Sequence, residues 1–278
     1  EPRNTRKCGI MGNSKFRAFR VFRGFKKVWG LLKGAVCTVG NPFAAREVVR
    51  ICREFKPDVV HFHNTFPLIS PLAVRAVSKY APVVMTLHNY RTACAAGVPM
   101  RDGKVCSLCL DKKCVWDGVK HRCYRGGFLA TLPLAMNIML YRKKLPRWVA
   151  RFIALSEFQR RKMMDVGLPE EKIVVKGNFI SRVERAERVE KKDQIVYVGR
   201  LSPEKGVHTL ISAWRILGDS IGCRLVLIGD GDYRADYESL ARDLGIEFMG
   251  KQANDAVRSE IAKSKALILP TCLKSLMK

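Results

Sequence analysis

The sequence predicts an α/β protein in which parallel sheets carry helices on both faces. Short β-branched runs alternate with apolar-periodic helical segments along most of the chain, which is the pattern of repeated strand and helix units. The 278 residues are enough for one large or two medium cores of this kind. An apolar content of 47% fits a globular protein and not a disordered one.

The first half of the chain shows this alternation from residue 44 onward. The predicted elements are a helix over 44–55, a strand over 58–64, a helix over 71–80 and a strand over 82–90. Both strands end in His-Asn, as His63-Asn64 and His88-Asn89. Because sheets of this kind bind ligands at the carboxyl ends of their strands, both pairs are candidate site residues. The alternative is that the histidines are structural.

A cysteine-rich insertion over 91–125 follows the second strand. Its thiols are Cys94, Cys106, Cys109, Cys114 and Cys123, with His121 nearby. The Cys106-x2-Cys109 pair, with partners such as Cys94 and Cys123, would supply a closed tetrahedral zinc site. Reduced cysteines that pack as small apolar side chains are the alternative. The ten cysteines of the chain favour a reducing compartment.

Later segments continue the alternation and indicate two domains. An apolar helix is predicted over 128–145, and 151–180 should form strand, helix, turn and strand, with Ser156 as the helix N-cap. The charged stretch 181–193 has a linker composition, so we expect domains over 1–180 and 194–278. In the second domain, strands are predicted at 194–199, 224–229, 246–248 and 266–270, and helices at 207–217, 234–244 and 255–263.

The loop after the strand at 194–199 carries two cations five residues apart, Arg200 and Lys205. A strand, a basic loop and a helix N-terminus often hold phosphate in α/β proteins, and fixed cations stabilise a departing diphosphate. Gly199 begins this loop, and Gly229 and Gly231 at the next strand end permit close backbone approach to a ligand. An ordinary connection with solvated charges is the alternative.

The chain is strongly basic, with 51 Lys and Arg against 25 Asp and Glu and a net charge of +26. Such an excess favours an anionic partner, either nucleic acid, acidic lipid headgroups or a phosphorylated substrate. Within 15–33, aromatic and aliphatic residues recur at helical spacing among basic ones. This basic N-terminal helix is either a membrane-surface element or a helix whose apolar face packs on a sheet. The apolar stretch 128–140 is too short and too interrupted to span a bilayer.

Seven motifs occur in order between residues 63 and 232. They are HNTFPLISP (63–71), TLHNYR (86–91), RDGKVCSLC (101–109), HRCYRG (121–126), FIALSEFQRRK (152–162), VGRLSPEKGV (198–207) and LVLIGDGD (225–232). Together they resemble the retaining glycosyltransferases of family four, over most of residues 44–270. The resemblance implies the GT-B architecture of two Rossmann-like domains with parallel sheets, both incomplete in this chain.

The resemblance also implies roles for the strand-end residues. Arg200 and Lys205 would neutralise the diphosphate leaving group, and His88 would lie near the transferred sugar. The backbone at Gly199, Gly229 and Gly231 would face the donor, while the acceptor side would hold His63, Asn64 and Asn89. The thiols of Cys94, Cys106, Cys109 and Cys123 match a cysteine-bearing branch of the family.

The activity implied by the resemblance is transfer of a hexose from a UDP- or GDP-linked donor to a hydroxyl of a glycan or lipid-linked acceptor. No metal is required for such catalysis. We expect an enzyme of cell-surface polysaccharide or glycolipid synthesis, cytoplasmic and peripheral on the inner face of the plasma membrane. We expect no nucleic acid partner.

Both ends of the chain depart from the family pattern. The opening strand with its glycine-rich loop is not found, and the two glutamates expected after ALILP (266–270) are missing, since no Glu follows Glu260. We therefore expect an incomplete enzyme, either a fragment of a longer reading frame or a decayed copy. The alternative functions are a nucleic-acid-binding module and an inactive truncated product that keeps only partner or membrane contacts.

Overall fold

The computed structural model describes residues 34–65, 69–179 and 189–270. The basic helix predicted at 15–33, most of the predicted linker at 181–193 and the chain after 270 lie outside the described residues. The described residues form an α/β protein with parallel sheets, as the sequence predicted.

The chain divides into two compact units. In its described parts, the first unit holds 34–88, 118–153 and 167–174, and the second holds 89–117, 154–166 and 175–270.

Strands and helices alternate along the chain. The strands are β1 (Val60–His63), β2 (Val83–Leu87), β3 (Met100–Arg101), β4 (Lys104–Val105), β5 (Arg151–Ala154), β6 (Ile173–Val175), β7 (Lys192–Val198), β8 (Arg224–Ile228), β9 (Glu247–Gly250) and β10 (Ser264–Ile268). The helices are α1 (Pro42–Phe55), α2 (Pro71–Val77), α3 (Leu108–Asp111), α4 (Trp116–Lys120), α5 (Phe128–Tyr141), α6 (Leu145–Trp148), α7 (Glu157–Asp165), α8 (Val207–Leu217), α9 (Arg234–Leu240) and α10 (Asn254–Lys263). Within the described ranges, no helix is both long and apolar enough to cross a membrane.

The first sheet has the strand order β1-β2-β5-β6. Strands β1 and β2 are parallel, and their register pairs Val60 with Val83 and His63 with Thr86. Four of the five residues of β2 are buried, which is typical of a strand covered on both faces. This register brings the carboxyl ends of β1 and β2 to the same edge, where the two His-Asn pairs begin.

Helix α1 begins where the sequence places a cap and a proline. The side chain of Asn41 accepts a hydrogen bond from the amide of Ala44 at 3.0 Å, and Pro42 follows in the first turn. The helix ends at Phe55, before Lys56 in a left-handed conformation with φ 47°. Helix α2 is shorter than predicted and stops at Val77, because the chain turns there before β2.

The predicted irregular insertion contains regular structure. Strands β3 and β4 pair antiparallel through a turn in which Asp102 and Gly103 both have positive φ, 52° and 72°. An Asp-Gly turn of this kind matches the twist of a two-residue hairpin. The predicted cap of α7 is confirmed, since the Ser156 hydroxyl accepts from the Gln159 amide at 3.2 Å.

The second sheet has the order β10-β7-β8-β9, and all of its strand pairs are parallel. On one face Tyr197 packs in a core cluster with Trp214 of α8. On the other face Val196 packs with Val257 of α10. Helices therefore cover both faces, and each large apolar side chain buried here contributes about 1.5–3 kcal/mol.

All seven elements that the sequence predicts in the 194–270 range are present. The largest boundary error is the end of α9, which stops at Leu240 and not at 244. Residues 241–245 continue as turns that finish at Gly245, whose φ is 61°.

Candidate active site

The loop that follows β7 is hydrogen-bonded to a buried tyrosine. Tyr197 is 1% exposed, and its Oη donates to the carbonyl oxygen of Arg200 at 2.7 Å. Burial is the main cause that raises the pKa of Tyr197 to about 12, so its hydroxyl keeps the proton at neutral pH. A Cβ atom on Gly199 would lie 2.7 Å from that hydroxyl. Gly199 therefore leaves the space through which the tyrosine reaches the loop.

Two glycines bring the loop after β8 against this loop. The amide of Leu201 donates to the carbonyl oxygen of Asp230 at 3.0 Å. A Cβ atom on Gly229 would overlap the carbonyl oxygen of Gly199, and one on Gly231 would overlap that of Leu201. The sequence predicted that these glycines let a ligand approach the backbone closely. In the structure, the backbone of the neighbouring loop makes this close approach. We call residues 199–206 and 229–231 together the strand-end platform.

Both predicted cations lie on this platform. The Arg200 side chain is 70% exposed, and its Nη2 donates to Oε1 of Glu204 at 2.8 Å. Lys205 ends a single 3-10 turn, and Gly206 follows with φ 70°. Within the described residues, Lys205 forms no ion pair of its own. Glu204 is only 21% exposed, but the Arg200 guanidinium is open to solvent, so an incoming anion can reach it and compete with Glu204.

Helix α8 begins directly after the platform, at Val207. The first amides of an α-helix have no acceptor within the helix, and its dipole places partial positive charge at this end. Two side-chain cations and a helix N-terminus are the groups that bind phosphate at strand ends. The platform can therefore hold a diphosphate through charge and backbone amides.

Two predicted histidines meet at the carboxyl ends of β1 and β2. Nδ1 of His63 lies 2.7 Å from Nε2 of His88, a distance at which one ring donates and the other accepts. Burial is the main cause that lowers the pKa of His63, and the nearby His88 lowers it further. Asn64 follows with φ 44°, a left-handed conformation that asparagine adopts more readily than most residues.

A third histidine belongs to the same cluster. The rings of His61 and His63 have centroids 4.0 Å apart, and His61 Nε2 lies 2.8 Å from the Thr86 hydroxyl. The sequence analysis did not include His61. Its position two residues before His63 was the available signal, because residues two apart on a strand share a face.

Asn89 has a structural contact. Its Oδ1 accepts a hydrogen bond from the amide of Arg91 at 3.1 Å, which is the geometry of an Asx turn. The side chain therefore shapes the turn after β2, in addition to any role in binding.

The four cysteines predicted as zinc ligands do not form a metal site. In the described part of the chain, which includes Cys94, Cys106, Cys109 and Cys123, no three His, Cys, Asp or Glu side chains are placed to hold a metal ion. Cys94 and Cys109 are buried, and burial raises the pKa of the Cys94 thiol away from the thiolate that zinc needs. None of the described cysteines forms a disulfide. The described residues therefore do not show the predicted zinc site.

Comparison with protein families identifies the chain. The family model described as Glycosyltransferase Family 4 matches residues 21–182, more than half of the sequence. The chain belongs to glycosyltransferase family 4. A second model, described as Glycosyl transferases group 1, matches residues 181–274 of this glycosyltransferase. The histidine cluster lies in the first matched range, and the strand-end platform lies in the second. No curated protein matches the sequence.

Solved structures show that the fold of this glycosyltransferase is GT-B-like. HepE of Anabaena in complex with UDP is 16% identical with a TM-score of 0.50, over 82% of this chain and 56% of that one. A variant of TarM from S. aureus is 13% identical with a TM-score of 0.52, over 80% and 39%. A glycosyltransferase from Rickettsia africae is 14% identical with a TM-score of 0.50, over 84% and 57%. The chain thus spans about half the length of these structures or less.

Two residues that shape the platform were not predicted from the sequence. Glu204 holds Arg200, and the signal for it was a carboxylate four residues after the cation, within one turn. Tyr197 fixes the Arg200 carbonyl, but a tyrosine in a β-branched run carries no signal of its own beyond strand propensity.

Proposed function

We propose that this chain binds a nucleotide-sugar and transfers the sugar, with retention of configuration, to an acceptor hydroxyl. The observation that carries the proposal is the strand-end platform, where Arg200 and Lys205 lie between the end of a parallel strand and the start of α8. Family membership supports sugar transfer as the reaction class. HepE of Anabaena and TarM of S. aureus were both solved with UDP, which supports a uridine diphosphate as the donor group.

The platform has the groups that the leaving diphosphate needs. When the bond from the anomeric carbon to the diphosphate oxygen breaks, negative charge accumulates on the phosphate oxygens. Arg200 and Lys205 stabilise that charge, and a guanidinium can do so with two parallel hydrogen bonds. For this, Arg200 must leave Glu204, and the exposure of the Arg200 side chain leaves it room to turn towards the diphosphate. Gly199, Gly229 and Gly231 keep the two loops together beneath the donor.

The histidine cluster serves the sugar and the acceptor in this proposal. His88 lies near the transferred sugar, and its hydrogen bond with His63 fixes the orientation of its ring. His63, Asn64 and Asn89 form the acceptor side. In the transferring step the bond from the anomeric carbon to the diphosphate oxygen breaks, and the acceptor oxygen bonds to that carbon with the configuration kept. The proton of the acceptor hydroxyl passes to the departing diphosphate oxygen. No metal takes part in this step.

The same proposal includes the identity of the donor and acceptor, the place of the protein in the cell and its domains. The donor is a UDP- or GDP-linked hexose, and the acceptor is a glycan or lipid-linked precursor of surface polysaccharide or glycolipid. The protein works on the cytoplasmic side as a peripheral protein of the inner membrane face, in line with its net charge of +26. Its two domains are residues 1–180 and 194–278, joined by a linker at 181–193. The cysteine-rich insertion is a feature of one branch of the family.

Nucleotide binding tests the proposal directly. Titration calorimetry with UDP and GDP should give binding of one of them. Arg200→Ala with Lys205→Ala should weaken it about 150-fold or more, since each of the two charged hydrogen bonds contributes about 1.5–3 kcal/mol. The matched control is Lys192→Ala with Arg242→Ala, which removes the same charge from the amino end of β7 and from the turn after α9. No binding of either nucleotide would overturn the proposal. Turnover with a panel of nucleotide-sugars then identifies the sugar, and the anomeric NMR signal of the product shows whether configuration is retained.

A further inference from the structure

Helix α5 is predominantly apolar, and its polar side chains are those of Thr131, Asn137 and Tyr141. Its sequence, FLATLPLAMNIMLY, contains no charged residue over Phe128–Tyr141. A helix of this kind is normally buried on all sides or faces lipid. At 14 residues it is too short to span a bilayer.

One face of α5 is fixed to the first unit. Thr131, Leu134, Ala135 and Ile138 are buried on this face. Nδ2 of Asn137 in α5 donates to the carbonyl oxygen of Thr38 at 2.7 Å. These contacts set which side of the helix points outward.

The other face is exposed and carries only large apolar side chains. Leu129 is 80% exposed, and the remaining members are 41–52% exposed. We define the α5 face as Phe128, Leu129, Met136, Met139 and Leu140. A contiguous apolar patch of this kind on a described surface indicates an interaction site.

Cations flank the α5 face at both ends. Lys120, Arg122 and Arg125 precede the helix, Lys143, Lys144 and Arg147 follow it, and all six are exposed. We call these six residues the flanking cations. The sequence has no Asp or Glu between residues 118 and 156. Every charged residue that flanks α5 in the sequence is therefore a cation.

We propose that the α5 face docks on the surface of an anionic lipid bilayer. The apolar side chains enter the boundary between headgroups and acyl chains, and the flanking cations contact the lipid phosphates. The charge of the flanking cations favours an anionic lipid surface over a second copy of this chain. In a dimer through the α5 face, the flanking cations of the two copies would repel each other. The inference rests on the membrane association proposed above and locates it on α5, whereas the sequence pointed to 15–33.

Vesicle co-sedimentation of the full chain tests the inference. The protein should sediment with vesicles of phosphatidylcholine and phosphatidylglycerol but not with phosphatidylcholine alone, and added salt should weaken binding. Leu129→Glu with Met136→Glu should lower the partition coefficient about tenfold or more, because two apolar contacts are lost and two charges are added. Ile216→Glu is the matched control, since Ile216 is 85% exposed on α8, away from the α5 face in sequence and in unit. That variant should bind as the wild type does.

A second variant probes the cations separately. Lys143→Gln with Lys144→Gln should lower binding to anionic vesicles by about fivefold for each cation removed. Thermal unfolding of every variant should match the wild type, because all the substituted side chains are exposed.

Three results would overturn the inference. If the Leu129→Glu, Met136→Glu variant binds vesicles as well as the wild type, another segment such as 15–33 carries the membrane contact. If the wild type forms a dimer that this variant abolishes and does not sediment with vesicles, the α5 face is an interface between copies. If the wild type neither binds vesicles nor self-associates, membrane association fails as a whole. UDP binding, measured without lipid, decides the transferase proposal independently.

Discussion

His63 gives the folded protein a dependence on pH. The pKa of His63 is lowered by burial and by His88, so the unfolded chain binds a proton more readily than the folded one. Stability is then fully present above the ordinary histidine value of about 6.5 and is lost as pH falls below it towards the lowered folded pKa. Urea unfolding at pH 8 and pH 5.5 should show this loss in the wild type and a smaller loss in His63→Gln.

The control for this prediction is His208→Gln, because His208 is exposed on α8. Its unfolding should keep the full pH dependence of the wild type. Equal pH dependence in His63→Gln and the wild type would contradict the assigned direction.

Gly229 is the residue at which the platform tolerates least change. Its φ is 144°, and a Cβ atom there would overlap the carbonyl oxygen of Gly199. Gly229→Ala should lower the free energy of unfolding by about 3 kcal/mol or more, from overlap and backbone strain together. Denaturant titration measures this loss.

Gly245→Ala separates the two causes. Gly245 also has positive φ, 61°, but nothing lies within 4 Å of a Cβ atom there. Its substitution should cost only the conformational strain, about 1 kcal/mol. Similar losses in the two variants would show that the platform adjusts to remove the overlap.

At the scale of elements, α7 depends on its cap. The Ser156 hydroxyl accepts from the Gln159 amide at 3.2 Å, and the helix has only nine residues. Ser156→Ala should lower the free energy of unfolding by about 1 kcal/mol. Ser212→Ala, in the middle of α8, is the control and should be neutral or slightly stabilising, because alanine is the better helix former. A loss in both variants would contradict a specific capping role.

Elements with a strong local pattern were predictable from the sequence. Strand β7 ends in the run IVYV and β8 contains the run LVLI, and α8 has an apolar period, so their positions follow from side-chain type alone. The ends of α2 and α5 were less predictable. Helix α5 stops at Tyr141 and α6 begins at Leu145, because Pro146 belongs in a first turn and does not extend the helix before it.

Residues of the candidate site could be predicted only where the side chain is itself a functional group, such as a cation or an imidazole. Arg200, Lys205, His63 and His88 could be selected because cations and imidazoles at strand ends are unusual. The predicted zinc site is not shown by the described residues, and cysteine spacing alone does not show where thiols point. The link from Tyr197 to the Arg200 carbonyl depends on how a loop folds back over its own strand, which no local pattern encodes.

At the scale of the whole molecule, net charge opposes folding. With +26 on 278 residues, self-repulsion destabilises the compact state, and salt screens that repulsion over a length of about 10 Å at 0.1 M. The thermal midpoint should therefore rise as NaCl is added from low salt to physiological salt. Magnesium chloride at equal ionic strength is the control and should give a similar rise. A midpoint that falls with both salts would show that ion pairs outweigh repulsion.

The contact between the two platform loops has a consequence for protein engineering. The backbone of 229–231 fits against that of 199–201 because glycines remove every side-chain atom between them. A library that changes the length of either loop would disturb both at once, so most of its members would lose the fold. Attempts to alter donor choice should therefore keep both loop lengths and randomise exposed side chains such as that of Asp232.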